Sequence, residues 1–189
     1  VPFDVILINP PSLKAILPVM GTDDRWKEDI HFRNGLMATD NFWWGSIMQL
    51  MNTSPPDPEI VGDNWKEIWL KRLDSMELWT KNWASHQTND KMWKRGSISI
   101  NYESIKVPVY FVSGWNDLFR DTPFRLAQNL KCPLKILVGP WAHLYPHEAV
   151  PKPAIDFIGE AIKWWDFWLK GKNNGVMDDS SLIFYEIDF

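Results

Sequence analysis

Apolar positions along the chain change their spacing from one segment to the next. From Val107 to Val112 (Val-Pro-Val-Tyr-Phe-Val) and again from Leu134 to Val138 (Leu-Lys-Ile-Leu-Val) they run almost unbroken, and each run stops at a glycine, Ser113-Gly114 and Gly139-Pro140. Short runs rich in β-branched and aromatic residues predict strands buried on both faces. Between them Thr122 is placed as an N-cap, Pro123 suits the first helical turn and Phe124 to Leu130 completes a helix. Strand, helix and strand then make one parallel crossover unit. Leu13 to Met20 predicts an earlier strand ended by Gly21-Thr22, whereas Val1 to Ile8, stopped by Pro10-Pro11, suits either a helix tail or a strand.

The period becomes helical from Asn41 to Arg95. Asp57 and Pro58 open a helix whose apolar face is Ile68 with the i, i+4 pair Trp65 and Trp69, and Trp79 and Trp83 repeat that spacing before Trp93. No strand signal interrupts this stretch, so it reads as a helical insert between two strands of the sheet. Most of its tryptophans, at helical spacing, are expected in the insert's own core, and the rest would line a pocket or meet a second copy of the chain. Further on, Ile155, Ile158, Ile162, Trp165 and Leu169 form one stripe, and Phe157, Ala161, Trp164 and Trp168 form its neighbour. They predict a helix packed on the sheet, closed by Gly171. Leu182 to Ile187 alternates like the opening strand of a further domain. The expected organisation is a sheet segment over 1–36, a tryptophan-rich helical cap over 37–100, a second sheet segment over 101–178 and the start of a β domain over 179–189.

Composition narrows the function classes. With 189 residues, 45% of them hydrophobic, the chain can build one substantial core. Its net charge of -4 and the lack of a Lys/Arg run argue against a nucleic-acid or anionic-membrane partner. No apolar run approaches the roughly 18 residues of a spanning helix. Cys132 is the single cysteine, which excludes an internal disulfide and fits a reducing, cytoplasmic compartment. The chain starts at Val1 and stops within a strand-like run, which reads as an excerpt of a longer polypeptide.

Candidate chemistry gathers after the two strongest strands, the position where open parallel sheets collect functional groups. Asp117 follows the first in Ser113-Gly-Trp-Asn-Asp117, and His143 follows the second in Gly139-Pro-Trp-Ala-His143. Acid then histidine is the order in which an α/β-hydrolase supplies the last two members of its triad. Taken from the residues alone, the bland alternative is a loop-capping aspartate and a partnered loop histidine. The acidic group Asp23, Asp24, Glu28 and Asp29 with His31 lacks a calcium-loop or paired-histidine pattern, so caps and salt bridges account for it better than a metal. His31, His86 and His147 have no catalytic partner in the pattern and are expected to be structural or exposed. Ser46 and Ser113 lack the Gly-x-Ser-x-Gly elbow and are not expected to be nucleophiles.

These motifs, together with Asp23-Asp-Arg-Trp26, Asp29, His31 and Trp164-Trp-Asp-Phe-Trp-Leu-Lys-Gly171, resemble the CocE/NonD family, the cocaine esterases and X-prolyl dipeptidyl-peptidases. The resemblance spans nearly the whole chain. It implies a partial α/β-hydrolase fold with an inserted helical cap, followed by a jelly-roll domain. It also implies a serine hydrolase acting on an ester, amide or short X-Pro peptide without a cofactor. The family's acid maps onto Asp117 and its histidine onto His143. The family's serine and its tyrosine oxyanion donor would lie upstream of Val1, so this stretch alone is expected to be inactive. Cap acids Asp57, Glu59 and Asp63 are candidates to hold a substrate amine. The competing class is a non-catalytic binding or assembly module that keeps the hydrolase frame.

Overall fold

The structure is a computed structural model and describes residues 2–186. Its centre is a parallel sheet of β3 (Val109–Gly114), β4 (Leu134–Gly139) and β5 (Leu182–Phe184), in that order. Val109 pairs with Leu134 and Gly114 with Gly139, so β3 and β4 end at the same level. Every β3 residue is buried. That fits an unbroken apolar run, because a parallel strand covered on both faces has no polar side to alternate with.

The alternation of β3 sorts the core into two layers. Val109 and Phe111, with Ile136 and Val138 of β4, face α1 (Pro2–Ile8) through Phe3 and Ile6, and α7 (Thr122–Asn129) through Leu126. Tyr110 and Val112 face the other way, onto Phe157 and Trp164 of α8 (Phe157–Lys170). Burying each such side chain stabilises the fold by roughly 1.5–3 kcal/mol. Lys135 is the exception inside a buried strand. Its ammonium is satisfied by Asp179 at 3.0 Å and the Val176 carbonyl at 3.1 Å, as a buried charge requires.

Four expectations are corrected. Residues 13–20 run parallel beside β3 but form only isolated bridges, Ile16 with Val109 and Val19 with Val112. Pro18 has no N–H to continue the ladder, though its carbonyl still accepts from Val112 N at 3.0 Å. Thr122 is the first residue of α7 rather than its cap, and its hydroxyl donates to Glu28 Oε2 at 2.8 Å. Of the two stripes on α8, only Phe157 and Trp164 are buried. Ile158, Ile162 and Leu169 remain more than half exposed, because the sheet covers a single face of the helix. Finally, Leu182–Phe184 does not open a separate sheet: it joins β4 in parallel, Ile136 opposite Leu182, because β4 offers a free edge there. The remainder of that run, 187–189, lies outside the described residues.

Between residues 20 and 109 the chain leaves the sheet. After a short hairpin of β1 (Phe32–Arg33) and β2 (Leu36–Met37) come α2 (Asp40–Thr53), α3 (Pro58–Val61), α4 (Trp65–Ser75), α5 (Trp79–Ser85) and α6 (Lys91–Lys94). Asp57 caps α3 by accepting from Glu59 N at 2.9 Å, as its Asp-Pro start predicts. Gly45 lets α2 lie directly on α5, since a Cβ there would strike Thr80 and Trp83. No helix among the described residues is long and apolar enough to cross a membrane.

The acidic motif ties this helical stretch to the sheet. Asp23 accepts from Arg125 at 2.6 Å and from the Tyr102 hydroxyl, and Arg125 also reaches Glu28 at 2.7 Å. Asp24 caps the turn at Trp26 and Lys27 and accepts from Ser99 at 2.7 Å. Burial and the Asp23 charge both push the Tyr102 phenol up, so it stays a neutral donor. No group of His, Cys, Asp and Glu side chains among the described residues has the arrangement to hold a metal ion.

Candidate functional site

Two loops leave the sheet at the level where β3 and β4 end. They are laced together by backbone: Trp115 N donates to the Gly139 carbonyl at 2.9 Å and Asn116 N to the Trp141 carbonyl at 3.1 Å. The Asn116 side chain adds a third link, donating to the Pro140 carbonyl at 2.8 Å. Gly114 is required at this crossing, because a Cβ would occupy the position of the Trp141 carbonyl. Trp141 anchors the second loop from below. It is buried, and its indole N–H donates to the Pro153 carbonyl at 2.7 Å.

On this scaffold Asp117 and His143 meet. Asp117 Oδ2 lies 2.6 Å from His143 Nδ1, although the residues are far apart in sequence. The other carboxylate oxygen accepts from Phe119 N at 2.7 Å, which fixes the plane of the acid. The Asp117 side chain is fully buried, whereas that of His143 is 57% exposed. A buried carboxylate with an N–H on each oxygen is an acceptor, so Nδ1 carries the proton and Nε2 is the basic edge. Nε2 has no hydrogen-bond partner among the described residues. The hydrogen bond to Asp117 raises the imidazole pKa above its usual value of 6.5, against an opposing effect of burial.

A cleft of about 270 Å³ opens beside the ring, walled by Val19, Met20, Leu144, Tyr145 and Glu148. Val19 and Met20 end the segment that runs beside β3, and Met20 takes a left-handed φ of 51° as the chain turns away. The same two residues border a second cavity of about 400 Å³, which reaches Phe3, Arg25 and Asp29. An imidazole lining an open cleft, with one N–H oriented by a buried acid and the other nitrogen unpartnered, can accept a proton from a hydroxyl and return it to a leaving group.

The other candidates are elsewhere. Ser113 is buried and donates its hydroxyl to the Phe119 carbonyl at 3.1 Å. His31 is buried beneath the helical stretch, where Nδ1 meets Asn41 Oδ1 at 2.7 Å and Nε2 meets Arg25 at 3.2 Å. Burial lowers its pKa and raises that of Asp29 beside it. His86 pairs with Asp90 at 2.7 Å, and His147 stacks on Tyr145 and Phe157. Asp57, Glu59 and Asp63 do not line the cleft at His143. Sequence reasoning missed Asn116 and the cleft walls. Asn116 was visible only as part of the Ser-Gly-Trp-Asn-Asp motif, and the walls come from loops with no shared periodicity.

Residues 5–145 match the family model described as X-Pro dipeptidyl-peptidase (S15 family). Among solved structures the chain is similar to a CocE/NonD family hydrolase from Staphylococcus aureus, with a TM-score of 0.69 at 20% identity. That alignment covers 96% of this chain and 29% of the hydrolase. A second crystal structure of that hydrolase gives a TM-score of 0.66 at 19% identity over the same shares. An aminopeptidase from a marine sediment archaeon, Thaumarchaeota archaeon, gives 0.56 at 17% identity, covering 93% of this chain and 33% of the other. No curated protein matches the chain. Likeness at these identities shows the fold, a partial α/β-hydrolase, and the chain spans about a third or less of the structures it resembles.

Proposed function

The chain belongs to the X-Pro dipeptidyl-peptidase (S15) family, and from that premise we propose that it supplies the acid and base of a serine hydrolase. The observation that carries this is the 2.6 Å contact between Asp117 Oδ2 and His143 Nδ1, on a ring that lines an open cleft. In this reading His143 takes the proton of a serine hydroxyl as that oxygen attacks the substrate carbonyl, then gives it to the departing alcohol or amine. Asp117 holds the tautomer and stabilises the imidazolium. The serine and the oxyanion donors come from outside these 189 residues, and residues 37–100 serve as a cap above the cleft, between sheet segments 1–36 and 101–178. Substrates are small esters, amides or X-Pro peptides, and the two-step acyl-enzyme route needs no cofactor.

The test is turnover of an aryl ester beside an X-Pro nitroanilide by the full-length protein, with and without His143→Ala. Hydrolysis of either that falls by about three to four orders of magnitude in the variant supports the reading. A full-length protein that neither turns over these substrates nor labels with a fluorophosphonate overturns it in favour of a non-catalytic module.

A further inference from the structure

Trp115, in the loop that carries Asp117, reaches a segment 70 residues further along the chain. Its indole N–H donates to the Tyr185 carbonyl at 2.8 Å. Tyr185 follows β5 directly, and its own N–H donates to the Val138 carbonyl of β4 at 2.8 Å, so that residue is pinned from both sides. The Trp115 ring stacks on Phe124 of α7 with centroids 5.7 Å apart and meets Phe184 of β5 edge-on at 6.4 Å. Both separations are those at which aromatic rings attract. The indole is not a wall of the cleft at His143, so these contacts hold the loop rather than bind a substrate.

We propose that Trp115 is a positioning residue: by bonding the segment after β5 it fixes the loop on which Asp117 meets His143, so the acid–base contact depends on how residues 182–185 seat on the edge of β4. This rests on Asp117 and His143 being acid and base. Within the loop, Asp117 N donates to the Gly114 carbonyl at 3.1 Å and Phe119 N to Asp117 Oδ1 at 2.7 Å. Those bonds stiffen the turn internally but do not orient it. Orientation comes from the side chains of two adjacent residues that reach opposite neighbours, Asn116 to the histidine loop and Trp115 to β5 and α7. With one anchor lost, the turn can pivot about the other. A working acid and base must be held to within about 0.5 Å, and a displacement of about 1 Å costs roughly a hundredfold.

The test is Trp115→Phe in the full-length protein, which keeps a ring on Phe124 and deletes the N–H. Hydrogen exchange read by mass spectrometry needs no activity. The amides of 115–119 should exchange about tenfold faster in the variant while those of β3 stay as in wild type. In turnover of the aryl ester, kcat should fall roughly tenfold at constant KM. The acid limb should also move down toward pH 6.5, since a looser Asp117 raises the imidazole pKa less. Trp168→Phe, on α8, where the indole N–H has no partner among the described residues, should move none of these. Unchanged exchange over 115–119 overturns the proposal, and so does an active Trp115→Phe enzyme with the wild-type kcat and acid limb. An inactive full-length protein sinks the functional reading alone, because exchange still decides whether Trp115 holds the loop. Should Trp115→Phe not fold, Phe184→Ala, which removes an exposed partner of the same ring, takes its place with the same exchange measurement and the same two outcomes.

Discussion

The sheet and the helical segment use the same aromatic residues to opposite ends. Around the sheet Trp141 and Trp164 are buried and wedge a loop and a helix into fixed positions, whereas Trp43 and Trp44 of α2 stand in solvent. The two histidines differ in the same sense. His143 has its buried charge partner on one nitrogen and no partner among the described residues on the other, which raises its pKa. His31 is held on both nitrogens in a buried pocket, which lowers its pKa. The lesson is that two histidines of one chain differ not in type but in whether a ring nitrogen is left unpartnered beside a cleft, and it is on that difference that His143 is proposed as the base.

That contrast can be broken most severely at Asp117. Asp117→Asn in the full-length protein should cut hydrolysis by about four orders of magnitude, because the imidazole loses both tautomer and charge support. His31→Gln should change turnover little, and steady-state kinetics of the two variants side by side would expose any error in the assignment. Next in size is the network under the helical segment. Arg125→Met strands the carboxylates of Asp23 and Glu28 in the interior and should cost about 3–5 kcal/mol. Arg33→Met, which removes an exposed partner of Asp40, should cost about 0–1 kcal/mol in the same denaturant titration.

Packing gives a contrast of similar or smaller size. Leu126→Ala, at a fully buried site between α7 and the sheet, should lose about 2–5 kcal/mol. Ile60→Ala in α3, where the side chain is 82% exposed, should stay within about 0.5 kcal/mol. The smallest effect is the pH dependence of melting. His31 is stabilised as the neutral form, with Arg25, Asp29 and Asn41 around it, so its contribution is present above 6.5 and is lost as pH falls through its depressed pKa. His143 is stabilised as the cation, so its contribution is present below 6.5 and is lost as pH rises through its elevated pKa. Melting temperature against pH should therefore flatten on the acid side in His31→Gln and on the neutral side in Asp117→Asn. The acid limb of hydrolysis should likewise lie above pH 6.5 and move down in Asp117→Asn if that variant retains measurable turnover.

Much of the architecture was legible because neighbouring residues encode it. The unbroken apolar runs of β3 and β4, the Asp57-Pro58 start of α3 and the Gly171 end of α8 all appear where local pattern predicts them. The edge beside β3 was overestimated because periodicity does not register the missing N–H of Pro18. On α8 two apolar stripes were equally strong in sequence, and no local signal says which one meets a sheet. The sequence by itself determined that an acid and a histidine follow successive strands, since the glycine stops after each run locate both loops. Only the tertiary structure decided that Asp117 and His143 touch and that Arg125 answers Asp23 and Glu28. Contacts between residues remote in the chain depend on how whole elements stack, and the spacing within one element holds no record of its neighbour.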